Sequence, residues 1–176
     1  MIERTVPDEI DKAYADLKTA FLEKGCKIVS EEAPTQMTVK QGSLWGVSPN
    51  NAKKTIKTAF SKDGNATKIT SSSQVSSDWK NVTIVGCILA SVLVGVCLWI
   101  TIDLTSFMAT HKASFWSWII TFNGSADLQV GAAFVGLTKA LAVFLSVIIA
   151  LEVGILFYVK AKVDRFAHDV LFSTGN

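Results

Sequence analysis

The chain has 176 residues, 49% of them hydrophobic and 18% charged, with a formal net charge of +2. The charge is unevenly placed: residues 1–80 hold 12 of the 17 Lys and Arg and 10 of the 15 Asp and Glu. Such a mixture excludes a polybasic nucleic-acid or lipid-binding tail, and three cysteines (Cys26, Cys87 and Cys97) exclude a disulfide framework or zinc-type ligand spacing.

Ile2 to Val6 reads as a first strand. From Pro7 to Lys24 the apolar residues Ile10, Ala13, Tyr14, Leu17, Ala20 and Phe21 recur at three- and four-residue steps, which predicts a helix with one apolar stripe. Pro7 suits the first helical position, Asp8, Glu9 and Asp11 complement the positive end, and Gly25 terminates. The period then changes. Cys26–Glu31 and Met37–Gln41 read as strands turning at Ala33-Pro34-Thr35. Thr55–Phe60 and Thr67–Ser73 form a second pair around Asp63-Gly64-Asn65. The fold class is therefore α+β: a small N-terminal helix on an antiparallel sheet, residues 1–78, followed by a two-helix transmembrane hairpin.

Between the strand pairs, Gly42 to Asn50 contains two glycines, a proline and an indole. Leu44, Trp45 and Val47 form a candidate partner-contact loop that reaches a partner or the bilayer interface. The preferred expectation is plainer: these side chains fold back to cap a sheet short of apolar cover.

Two long apolar runs follow. Val82–Ile102 carries no formal charge, and Ala140–Val159 carries one ionisable residue, Glu152. Each is about 20 residues, enough to cross a hydrocarbon core of about 30 Å. The expected limits are 79–103 and 130–160, with an extracytoplasmic loop at 104–129 and a cytosolic tail at 161–176. The segment before Lys12 lacks the apolar core of a signal peptide, so the Val82 run is the expected first translocation signal.

Lys62, Lys68 and Lys80 precede the first run, and Lys160, Lys162 and Arg165 follow the second, against only Lys112 and Lys139 between them. This distribution predicts a multi-pass integral membrane protein with both ends in the cytoplasm. Trp79, Lys80, Trp116, Trp118, Lys139 and Lys160 are the expected interfacial anchors. The aromatic segment Phe115–Phe122 is expected to lie in the outer interface, and Asn123-Gly124-Ser125 beside it matches a glycosylation acceptor by coincidence. In the tail, Val163, Phe166, Ala167 and Val170 share one face against the domain or the membrane.

Gly86/Ala90 and Ser91/Gly95 stand four apart on the first run. Ala132/Gly136/Ala140 and Ala142/Ser146/Ala150/Gly154 do so on the second, and the helices are expected to dock through these stripes. Glu152 then points away from the contact, towards a second copy or another subunit. With Ser146 and Ser91 it forms a candidate intramembrane polar site.

His111 and His168 have no adjacent nucleophile and no metal-ligand partner. No catalytic, cofactor-binding or metal-ligating residue is expected, and the chain does not read as an enzyme. The expected function is a membrane protein presenting a small cytosolic interaction domain as an assembly or accessory subunit. Its partners are the lipid bilayer and further copies or other membrane subunits, with no nucleic acid. The alternative is an oligomeric ion channel or transport subunit built around Glu152.

Overall fold

A computed structural model describes residues 1–173; residues 174–176, the end of the expected tail, lie outside the described residues. The chain forms two compact units. One comprises residues 1–83 with 154 onwards, and the other residues 84–153.

In the first unit, strands β1 (Ile2–Val6), β2 (Lys27–Glu32), β3 (Gln36–Gln41), β4 (Lys54–Asp63) and β5 (Ala66–Val75) form one antiparallel sheet in the order β1-β5-β4-β3-β2. Strand alternation sorts the side chains onto two faces. Met37, Val39, Ile56, Phe60 and Ile69 are buried on one, while Lys57, Ala59, Ser61 and Ser72 lie open on the other. Helix α1 (Ile10–Glu23) lays Ala13, Tyr14, Leu17 and Phe21 on the apolar face. It starts three residues later than Pro7 because Glu9 is the extended N-cap residue, which leaves Pro7 and Asp8 in the connection. Gly25 ends the segment at φ 74°, a backbone conformation that glycine adopts without strain.

A second helix completes this core. After the second long apolar helix, α3 (Leu128–Ala161), a short turn leads into α4 (Arg165–Ser173). Its Phe166, Ala167, Val170 and Leu171 are buried with the α1 and sheet residues in one cluster. Sheet geometry explains the need. Five strands about 4.8 Å apart span about 19 Å, and one helix is only about 10 Å across. Two helices are required, and only α1 precedes the first apolar run. Asp164 secures the turn by accepting from the Ser73 backbone N–H at 2.8 Å and from the Met1 amine at 2.8 Å. Burial alone would raise its carboxyl, but these bonds outweigh burial and hold it below the ordinary aspartate range. Arg4 donates to the Leu171 carbonyl and lies over the Phe172 ring. The tail thus packs on the domain.

Helices α2 (Ser77–Thr110) and α3 (Leu128–Ala161) are each long and apolar enough to cross a membrane. Helix α2 runs seven residues past the expected limit at 103. In the second unit, covered positions recur at alternating three- and four-residue steps. Among them are Cys87, Ala90, Val94, Cys97, Thr101 and Leu104 on α2, and Gly131, Val135, Thr138, Ala142, Leu145, Ile149 and Glu152 on α3. This is the spacing of a supercoiled helix pair. It corrects the expected stripes in part: Gly86, Ala90 and Ala142 are covered, and the remaining members are not. Ser91, Gly95, Ala132, Gly136, Ala140, Ser146, Ala150 and Gly154 are exposed, and nothing stands within 4 Å of a side chain built at Gly95, Gly136 or Gly154. A four-residue repeat drifts around the helix, whereas alternating three and four keeps one seam in line.

The connection folds over the far ends of the two helices. A 3-10 turn (Ser117–Ile120) and a minimal hairpin, β6 (Thr121–Phe122) with β7 (Ser125–Ala126), bury Ile120 against Leu104, Phe107 and Val135. Asp103 accepts from the Trp116 backbone N–H at 2.8 Å, and Trp99 stacks on Phe115 with the Trp116 ring edge-on to both. Asp127 caps α3 by accepting from the N–H groups of Gln129 and Val130. The aromatic segment is therefore a packed cap, with Phe115, Trp118 and Phe122 left exposed on it.

Candidate functional site

Two places bring the singled-out residues into a defined geometry. The first is in the α2–α3 seam. Glu152 lies over Gly86: a side-chain carbon built there would stand 3.5 Å from the carboxylate Oε2. The same oxygen accepts from the Cys87 thiol at 3.2 Å. Glu152 therefore faces the neighbouring helix, contrary to the expectation drawn from the small-residue stripes, because the seam follows the seven-residue repeat that contains it. A glycine opposite leaves room for a carboxyl, and the thiol supplies a weak donor. Ser91 and Ser146 do not join it: each hydroxyl donates to the carbonyl four residues back, Cys87 and Ala142 respectively. A second polar contact in the seam was not foreseen, with the Thr101 and Thr138 hydroxyls 2.7 Å apart.

The second place is the β3–β4 connection. Its ends are clamped: Ser43 N–H donates to Asn51 O at 2.8 Å, and Lys53 N–H donates to Ser43 O at 3.0 Å. Asn51 accepts from both the backbone N–H and the hydroxyl of Ser48. Gly42, at φ 91°, and Gly46 press against the Asn51–Ala52 backbone, leaving no room for a side-chain carbon. The loop is compact, yet its apolar side chains face out. Trp45 is 82% exposed and Val47 61%, with Leu44 also exposed. The expected core-capping role is thus overturned, because α4 already supplies the cover the sheet lacked.

Trp79, expected as a headgroup anchor, is instead 4% exposed. Its ring packs with Ala52, Val75, Val159, Ile155, Leu156 and Val163, and its Nε1 donates to the Gly46 carbonyl at 2.9 Å. It ties the loop to the first turn of α2 and the last turns of α3. Lys80 is half-buried, Trp116 is half-buried in the aromatic cap, and Trp118, Lys139 and Lys160 are exposed. Gly42→Ala is expected to destabilise this unit by about 1–3 kcal/mol through backbone strain and collision. Loss of the near-ultraviolet circular dichroism of the buried Trp79 is the measurement that checks it.

Lys54 closes the same loop from inside. It is 1% exposed, donates to the Pro49 carbonyl, and stands 4.8 Å from the centre of the Phe166 ring. Burial lowers its pKa from 10.5 to about 8, and burial raises the nearby Cys26 thiol from 9.0 to about 11. The folded chain thus binds fewer protons at Lys54 than the unfolded chain between those values, so stability rises with pH from about 8. The shift corresponds to at most about 3 kcal/mol. Cys26 acts oppositely, since the folded thiol keeps its proton above pH 9.0 while the unfolded one releases it. Denaturant titrations are therefore expected to show stability rising between about pH 8 and about pH 9 and flattening above, with Lys54→Met removing the rise.

Among the described residues, no group of three or more His, Cys, Asp or Glu side chains is placed to hold a metal ion. No protein-family model matches the chain, and no curated protein matches it.

Proposed function

We propose that the chain is an integral membrane protein. In this reading α2 and α3 cross the bilayer as a hairpin, and the split α+β domain stands in the cytoplasm as a non-catalytic docking module for other subunits or further copies of the chain. The observation that carries the reading is the shared core of the N-terminal sheet and the C-terminal α4. A chain that leaves a domain through one long apolar helix and returns through another to finish it crosses any bilayer an even number of times. Lysine placement supports the cytoplasmic side: Lys62, Lys68, Lys80, Lys160 and Lys162 flank the domain ends of the helices, against Lys112 and Lys139 elsewhere. The open face of the sheet supports docking, since Lys40, Lys57, Thr38, Thr55 and Ser72 form a polar surface that neither α1 nor α4 covers. A pore built on Glu152 is the weaker reading, because that carboxyl packs on Gly86 and Cys87 of its own chain.

Cysteines introduced as Asn123→Cys and Asp63→Cys test the arrangement in intact cells with a membrane-impermeant maleimide. Labelling of Asn123→Cys alone, with Asp63→Cys reached only after permeabilisation, is the expected result. The reverse pattern, or full-length chain in a salt-washed aqueous fraction, overturns it. Docking predicts a particle heavier than one chain in mild detergent, made lighter by Lys57→Glu; a stable monomer argues against it.

A further inference from the structure

We propose that the β3–β4 loop, Gly42 to Ala52, is a bilayer-interface anchor that seats Trp45, Leu44 and Val47 among the lipid headgroups. The proposal rests on the bilayer reading of α2 and α3 and adds a third point of membrane contact, one supplied by the domain itself.

Three independent observations carry it. The first is position. Register pairs Gln41 with Lys54 and Lys54 with Val75, so the loop leaves the sheet at the same end as the β5–α2 junction. The hydrogen bond from Trp79 Nε1 to Gly46 O then holds the loop beside the first turn of α2, three residues before the uncharged run opens at Val82. The second is composition. Residues 42–52 contain no charged side chain, within a domain that is otherwise dense in charge. An uncharged loop with an outward indole suits the headgroup region, where an amphipathic ring is stable and a desolvated charge is not.

The third is rigidity. A loop that exposes a tryptophan, a leucine and a valine has no hydrophobic reason to stay in that shape in water. This one is held by the Ser43 clamps, the Ser48–Asn51 bonds, the Lys54 bond to Pro49, and two glycines pressed on backbone. Its apolar side chains are presented at no further ordering cost, so their transfer into the interface is not opposed by loop entropy. A protein partner is the competing occupant. The location favours lipid, because a surface beside the first turn of a membrane-crossing helix meets headgroups before any soluble partner.

The full-length chain and its Trp45→Phe variant, each in phosphatidylcholine nanodiscs, provide the test. Subtracting the two emission spectra isolates Trp45, which is exposed enough for the substitution to leave the packing intact. Phosphatidylcholine brominated near the headgroup end of its acyl chains is expected to quench the Trp45 emission. Aqueous iodide is expected to leave it unchanged, and its maximum is expected to lie to the blue of indole in water. Iodide quenching of Trp45 without bromolipid quenching, while the remaining tryptophans are still quenched by bromolipid, overturns the anchor and leaves the bilayer reading standing. If no tryptophan responds to bromolipid, both fail together. A Trp45 that sits in water in nanodiscs of the purified chain is what a protein-docking loop predicts, and that result also overturns the anchor.

Discussion

Leu171→Ala is expected to destabilise the sheet domain by about 2–5 kcal/mol, the ordinary cost of truncating a fully buried leucine. That is as much as a truncation at a central strand position would cost, although Leu171 lies beyond both long helices in the sequence. The reason is geometric. Leu171 is 1% exposed and shares one cluster with Phe21, Met37, Val39 and Ile69. The α4 backbone at this residue is held by Arg4 of β1, so the surroundings have little freedom to collapse into the space left behind. Limited proteolysis of the full-length chain at peptide bonds in β2 and β3 reads the effect, because cleavage there follows the population of the opened domain. If Leu171→Ala cleaves no faster than the parent, α4 is a bystander and the argument for a split domain fails. Phe172→Ala is the control. It stands on the same helix and is about half exposed, so its expected loss is smaller and confined to the contact with Arg4.

The α4 contact also shows where sequence reasoning stops. Helix α1, the five strands and the turn at Asp63-Gly64-Asn65 were legible because each is specified locally, by periodicity, capping and turn residues. The shortage of apolar cover over the sheet was legible as well. What supplied the cover was not, because two candidates had similar apolar content and local signals do not rank them. The Leu44-Trp45-Val47 loop is near in sequence and the Phe166–Leu171 face is far; the structure chose the far one, since only a helix is long enough to cover two strands. Trp79 was misplaced for the same reason. An indole at the start of an apolar run fits the headgroup level and a buried core equally well, and the partner that decides between them, the Gly46 carbonyl, lies in the β3–β4 loop. In the helix pair, small residues four apart are the conspicuous pattern, while the repeat that sets the seam mixes aliphatic Leu104 and Val135 with the hydroxyls of Thr101 and Thr138 and the carboxyl of Glu152. Only the alternation of three and four unites them.

Glu152→Lys is expected to disrupt the helix pair, whereas Glu152→Gln is expected to leave it intact. A glutamine keeps the length of the side chain and an oxygen that accepts from the Cys87 thiol, so the space over Gly86 stays filled and the contact survives. A lysine offers no acceptor to the thiol. It also places a cation where the seam offers only Gly86 and a thiol, so the closed pair is expected to lose population. Thr101 and Thr138 provide the readout, since hydroxyls 2.7 Å apart mark positions where paired cysteines reach bonding distance. In a Thr101→Cys, Thr138→Cys background, mild oxidation is expected to close an intrachain disulfide in the parent and in Glu152→Gln, and to close it slowly or not at all in Glu152→Lys. Gly86→Leu is expected to mimic the lysine variant, because its side chain occupies the volume the carboxyl now fills, and Gly86→Ala is expected to be tolerated at an ordinary van der Waals contact. Equal crosslinking in all of these variants would mean that the seam closes without reference to Glu152. The carboxyl would then face something outside its own chain, and the pore reading would regain the ground the Gly86 contact takes from it.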